Sequence, residues 1–172
     1  EAALAAHMAA REGGLFQLSA RIAGVNEIGD IQPITRAAGL AYGISRALVR
    51  LPAEGAARLP IPHSLLSDDE LAEAGVDATT PRLASALSAL GDLARTALSD
   101  VAPLLAKMSR AKRLPFLPLA MVRPNLHALE TWVRRGGAAS IEPLPIRRLL
   151  RIAWGHARGP GVEEMRRVAP CC

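Results

Sequence analysis

From Leu83 to Met108 apolar residues return at alternating steps of four and three: Leu83, Leu87, Leu90, Ala94, Ala97, Val101, Leu104 and Met108. No extended strand can use such a spacing, because strand side chains alternate with period two. The segment is therefore a long amphipathic helix, entered through Thr79-Thr80-Pro81 and bent at Pro103. Composition extends the argument to the whole chain. Half of the 172 residues are hydrophobic, aromatics are only 3%, and alanine and leucine dominate. Strand formers are sparse and an all-α fold is expected. The hydrophobic content excludes a generally disordered chain, and the length is enough for a sizeable core.

Three further helices read from the same periodicity. Residues 2–24 carry Leu4, Met8, Leu15, Leu18 and Ile22 as an apolar side, with Arg11 and Arg21 on the polar side. Gly13-Gly14 weakens the middle of this helix and allows another element to approach closely; Gly24 is its natural stop. Residues 33–51 form the second, with Pro33 in its first turn, Pro52 as its end, and Ala37, Leu40, Ala41, Ile44, Leu48 and Leu51 as its apolar face. Residues 116–134 form another, with Leu119, Val122, Leu126, Leu129 and Val133 inward and Gly136-Gly137 as stop. Shorter helices are expected after Ser67, where Ser67 and Glu70 make a capping box, and over 145–157, a basic segment with Arg147, Arg148 and Arg151. Residues 1–135 are expected to form one helical domain, followed by a basic helix and loose tail over 136–172. The chain opens at Glu1 inside a helical pattern, so an N-terminal portion is expected to precede it.

Charge and motifs narrow the function. The net charge is +5, and only Lys107 and Lys112 among the bases are lysine. Arginine at this level favours phosphates, lipid head groups or acidic partners. No basic run is interleaved with aromatics, so nucleic acid is not an expected partner. No apolar run is long enough to span a bilayer, and no signal peptide is read, which gives a cytoplasmic or inner-membrane-peripheral location as the expectation. Cys171-Cys172 is neither a disulfide framework nor a CxxC site. His7, His63, His127 and His156 are far apart in sequence, and Ser19, Ser45 and Ser64 have no His/Asp context. Asp68, Asp69, Glu70 and Glu73 could present carboxylates to Mg²⁺ on one helix face, but the capping box explains the same residues more simply. Arg46 and Arg50 stand one helical step apart and could grip a phosphate or carboxylate together; a solvated face is the plainer reading of the pair.

The stretch from Ala37 to Gly75, AAGLAYGISRALVRLPAEGAARLPIPHSLLSDDELAEAG, resembles the region around the second aspartate-rich motif of the squalene/phytoene synthase family. Ala38, Gly39 and Ala41 match its small-residue helix; Arg58 with Ile61-Pro62 matches its Gly-Arg-x-Tyr-Leu-Pro element, with Ala57 and Pro60 in place of the Gly and Tyr. Arg11 to Ser19 looks like the segment before that helix, and Leu114-Pro115 with Pro118 to Leu129 looks like the closing helix, so the likeness spans roughly residues 5–130. The resemblance implies an all-α helical bundle of the isoprenoid (terpenoid) synthase type. It also implies head-to-head joining of two prenyl diphosphates, with Mg²⁺ held between paired aspartates to neutralise the leaving diphosphate.

The chain departs from that pattern where the metal would sit. The two aspartate positions fall on Val49 or Arg50 and on Ala53 or Glu54. One glutamate beside an arginine is no carboxylate pair, because the arginine repels Mg²⁺. The expectation is a degenerate, non-catalytic member, similar to the divergent branch that assists assembly of respiratory complex I, with no catalytic residues and no resident cofactor. Arg46, Arg50, Glu54 and Arg58 are the substrate-binding candidates by resemblance. The expected ligands are a prenyl diphosphate or other lipid-like molecule and a protein partner, with peripheral membrane contact. The alternative is an Mg²⁺-dependent prenyltransferase that uses Glu54 or the 68–73 cluster with a motif upstream.

Overall fold

The computed structural model describes residues 2–25, 28–54 and 80–137. Within them the chain is helical apart from Thr80, the short connections at 23–25 and 107–109 and the turn at 135–137, and no strand occurs among the described residues. The elements are α1 (Ala2–Ile22), α2 (Ile28–Glu54), α3 (Pro81–Ala106), a single turn α4 (Arg110–Arg113), a 3₁₀ helix (Leu114–Met121) and α5 (Val122–Arg134). The second helix is the hub: α1, α3, α5 and the 3₁₀ helix all pack against it. The expected helices over 67–75 and 145–157, the acidic cluster, Arg58 and Cys171-Cys172 lie outside the described residues.

The first helix ends where its sequence predicts. Gly24 adopts φ 80°, a conformation open to glycine. The Val25 N–H donates to the Ala20 carbonyl at 2.9 Å and the Gly24 N–H to Arg21 at 3.0 Å, which closes the helix with a left-handed glycine cap. Its buried face differs from the expected one. Leu4, Met8, Glu12, Phe16 and Ala20, at steps of four, form the inward row, whereas Leu15, Leu18 and Ile22 are exposed. The cause is the crossing with α2. A Cβ on Gly39 would lie 2.3 Å from the Gly13 nitrogen, and one on Gly13 would lie 2.9 Å from the Thr35 carbonyl oxygen. The backbones touch, and this contact turns the row containing Glu12 inward.

The second helix is longer than its prolines suggest. It begins five residues before Pro33 and runs two beyond Pro52. A proline near either end removes one helical hydrogen bond but leaves most of the ladder intact. Ile31, Ile34, Ala38, Ala41, Ile44, Leu48 and Leu51 are buried. The buried hydroxyls of Thr35 and Ser45 donate to carbonyls of their own helix, Gln32 at 3.1 Å and Tyr42 at 3.0 Å.

In α3 the alternating row is buried from Leu83 through Val101, but Leu105 rather than Leu104 continues it. A strict four–three repeat drifts against 3.6 residues per turn, so the inward face passes to the next residue. The helix continues three residues beyond Pro103 and stops at Ala106, short of Met108. Residues 114–121, expected to lie largely in the following α-helix, are 3₁₀ because Pro115 and Pro118 cannot donate to an α-helical ladder. Val122, Leu126 and Leu129 are buried as expected, with Trp132 added. Gly136 and Gly137 adopt φ 65° and 78° after the last turn.

Few aromatics exist, and three of the five meet in one place. Phe16 stacks on Phe116 with ring centroids 5.7 Å apart and planes 6° from parallel, and meets Tyr42 edge-on at 5.8 Å. This cluster ties α1, α2 and the 3₁₀ helix together. No described helix is long and apolar enough to cross a membrane.

Candidate functional site

The polar side chains nearest to the glycine crossing mark the candidate site. Glu12 is the single acid of α1 and is only 6% exposed. Gly43 makes room for it: a Cβ there would lie 3.1 Å from Glu12 Cγ and 2.8 Å from Met8 Sδ. From that position the Glu12 carboxylate reaches Arg46 on α2, with 3.8 Å between Oε1 and the Arg46 guanidinium, and Arg11 Nε at 3.7 Å. A carboxylate buried to this degree requires positive charge nearby, and two arginines supply it.

Arg46 is half-buried and Arg50 is exposed. They stand four residues apart on α2, so both project from one side of it. Both arginines thus share one side of the helix, and Arg46 meets a carboxylate from the neighbouring helix that sequence reasoning missed. A signal for Glu12 existed in the step of four from Met8 to Glu12 to Phe16, but a lone glutamate before two glycines reads as surface. Glu54 is the last residue of α2, one further step of four beyond Arg50. Arg58 lies outside the described residues.

Two guanidiniums on one side of a helix suit an anion with several oxygens. Each offers a planar fork of N–H donors that matches phosphate or carboxylate. The Glu12 contact holds Arg46 near the α1–α2 seam and leaves its 38% exposed side chain partly accessible. Among the described residues no group of three His, Cys, Asp or Glu side chains lies close enough together to hold a metal ion.

No family model, no curated protein and no solved structure matches the chain.

Proposed function

We propose that this chain is the C-terminal portion of a squalene/phytoene synthase-like helical domain that binds an anionic, lipid-like ligand or a protein partner and performs no metal-dependent chemistry. The observation that carries the reading is the arginine pair on α2. Arg46 and Arg50 lie on one side of α2 in its C-terminal half, Arg46 is set against the buried Glu12, and by the resemblance the aspartate positions of the family would fall on Val49 or Arg50 and on Ala53 or Glu54. Guanidiniums attract a diphosphate directly but repel the divalent cations that paired aspartates would hold. The all-helical architecture around a central α2 is compatible with an isoprenoid synthase-type bundle. Under this reading the protein is a binding or assembly factor of the complex I-assembly kind, in the cytoplasm or peripheral to the inner membrane.

Calorimetric titration of farnesyl diphosphate into the purified chain tests the proposal. The expected result is binding that persists in EDTA and weakens about tenfold or more in an Arg46→Ala, Arg50→Ala variant, one lost charge-assisted contact being worth roughly 1.5–3 kcal/mol. Binding that requires Mg²⁺, or a squalene-type product in the organic extract, would restore the prenyltransferase reading instead.

A further inference from the structure

Among the described residues Glu12 is the one buried carboxylate. Its side chain is 7% exposed, against 38% for Arg46 and 68% for Arg11. Both arginines meet the same oxygen, Oε1, Arg11 through Nε at 3.7 Å and Arg46 through Nη1 at 3.8 Å. These separations exceed hydrogen-bond length, so the contacts act through charge and leave the guanidinium N–H donors uncommitted to Glu12. An anion from solvent therefore has access to Arg46 and Arg11 but not to Glu12, which lies behind them in the room that Gly43 leaves between α1 and α2. Packing alone does not call for an acid here. Met8 and Phe16 fill the same inward row one step of four to either side. A methionine at position 12 would avoid the desolvation that a buried carboxylate costs.

We propose that Glu12 is a specificity-determining residue of the anion site on α2: a fixed negative charge behind Arg46 and Arg11 that holds down the advantage of a diphosphate over a monophosphate. The proposal rests on the reading of Arg46 and Arg50 as an anion-binding pair. Its physical basis is a difference in scaling. The N–H donors of an arginine offer the same hydrogen bonds to a phosphate oxygen in either ligand. Repulsion from a buried carboxylate instead grows with the charge of the ligand, and it is stronger beside low-dielectric protein than in water. Glu12 touches no ligand atom, so it is a positioning residue that acts through the two arginines. Charges elsewhere on the chain are common to the acid and its neutral replacement, so a comparison of the two isolates the share of Glu12.

The test titrates farnesyl monophosphate and farnesyl diphosphate, two probes with one tail and different charge, into the full chain without divalent metal and reads both affinities by calorimetry. Glu12→Gln is expected to tighten the diphosphate about tenfold and the monophosphate about threefold, so the ratio of the two affinities rises about threefold. Glu12→Met, neutral and suited to an apolar row, should raise the ratio likewise and keeps the test open if the glutamine variant does not fold. Glu12→Asp retains the charge and should keep the wild-type ratio. A purely structural role for Glu12 would weaken both probes together and leave the ratio alone. That result, an equal gain for both probes, no change in the neutral variants, or a shifted ratio in Glu12→Asp would overturn the inference while Arg46→Ala still abolishes binding. Wild-type protein that binds neither probe, or binding indifferent to Arg46→Ala, would instead remove the anion site itself and the inference with it.

Discussion

At the α1–α2 crossing backbone meets backbone, with Gly13 against Gly39 and no side chain between them. At the α3–α5 contact the helices are held apart by side chains: Gly91 faces Leu126, and a Cβ on Gly91 would still be 3.9 Å from the Leu126 Cδ2. Both contacts contribute to one core, yet they respond to opposite insults. The first has no volume to spare and fails when atoms are added. The second consists of the atoms it holds and fails when they are removed. Polar groups follow the same division. The first contact buries a glutamate at its edge, whereas the second carries its ions outside, where Arg95 bonds Asp92 and Glu130 in solvent.

The largest effect should come from removing atoms at the α3–α5 contact. Leu126 is 2% exposed and faces α3 from the centre of α5. Leu126→Ala should lower stability by about 2–5 kcal/mol, the range for a leucine whose cavity only partly collapses. Urea unfolding followed by circular dichroism measures this. A loss below about 1 kcal/mol would mean that α5 repacks freely and that the contact is not the rigid one described.

Next in size is an added methyl at the other contact. In Gly39→Ala the new Cβ would stand 2.3 Å from the Gly13 nitrogen and 2.6 Å from its Cα, both backbone atoms that cannot rotate away. The helices must separate, and a loss of about 1–3 kcal/mol is expected despite the better helix propensity of alanine. The same change at Gly91 should have the opposite sign. Its Cβ would meet Arg95 Nη1 at 3.5 Å and Leu126 at 3.9 Å, ordinary contact distances, so Gly91→Ala should gain about 0.5–1 kcal/mol from helix propensity alone. Melting temperatures that move in the same direction for the two variants would break the comparison.

These glycines also explain which parts of the fold could be read from the chain beforehand. The α3 row from Leu83 to Val101 and the glycine stops at Gly24 and Gly136-Gly137 follow from period and backbone chemistry, which are local properties. The inward face of α1 does not. Hydropathy favours Leu15, Leu18 and Ile22, but the close approach of Gly13 to Gly39 fixes the rotation and buries Glu12 instead. A contact made by the absence of a side chain leaves no mark in a hydropathy pattern. The candidate site divides in the same way. Arg46 and Arg50 share a side by helical arithmetic, while the Glu12 partner comes from a different helix and depends on Gly43 to make room for it. Proline was misread in both directions: Pro33 and Pro52 lie inside α2 near its ends instead of bounding it, whereas Pro115 and Pro118, spaced closely, converted to 3₁₀ a segment expected to be largely α-helical.

The smallest expected effect concerns the ions outside the α3–α5 contact. Arg95 is 41% exposed and bonds Asp92 at 2.7 Å; it also bonds Glu130, which is 49% exposed, and the His127 ring lies 3.9 Å from that same carboxylate. This ion cluster links α3 to α5 through side chains, so it invites the view that it holds the two helices together. Solvent exposure argues otherwise, because water and salt screen such pairs and ordering two long side chains costs entropy. Glu130→Gln should therefore lower stability by less than about 1 kcal/mol, and the difference from wild type should vanish near 1 M NaCl, where the screening length is roughly 3 Å. A loss comparable to that of Leu126→Ala, or one that survives high salt, would show that α5 is fastened to α3 by charge and that the apolar contact beneath is secondary.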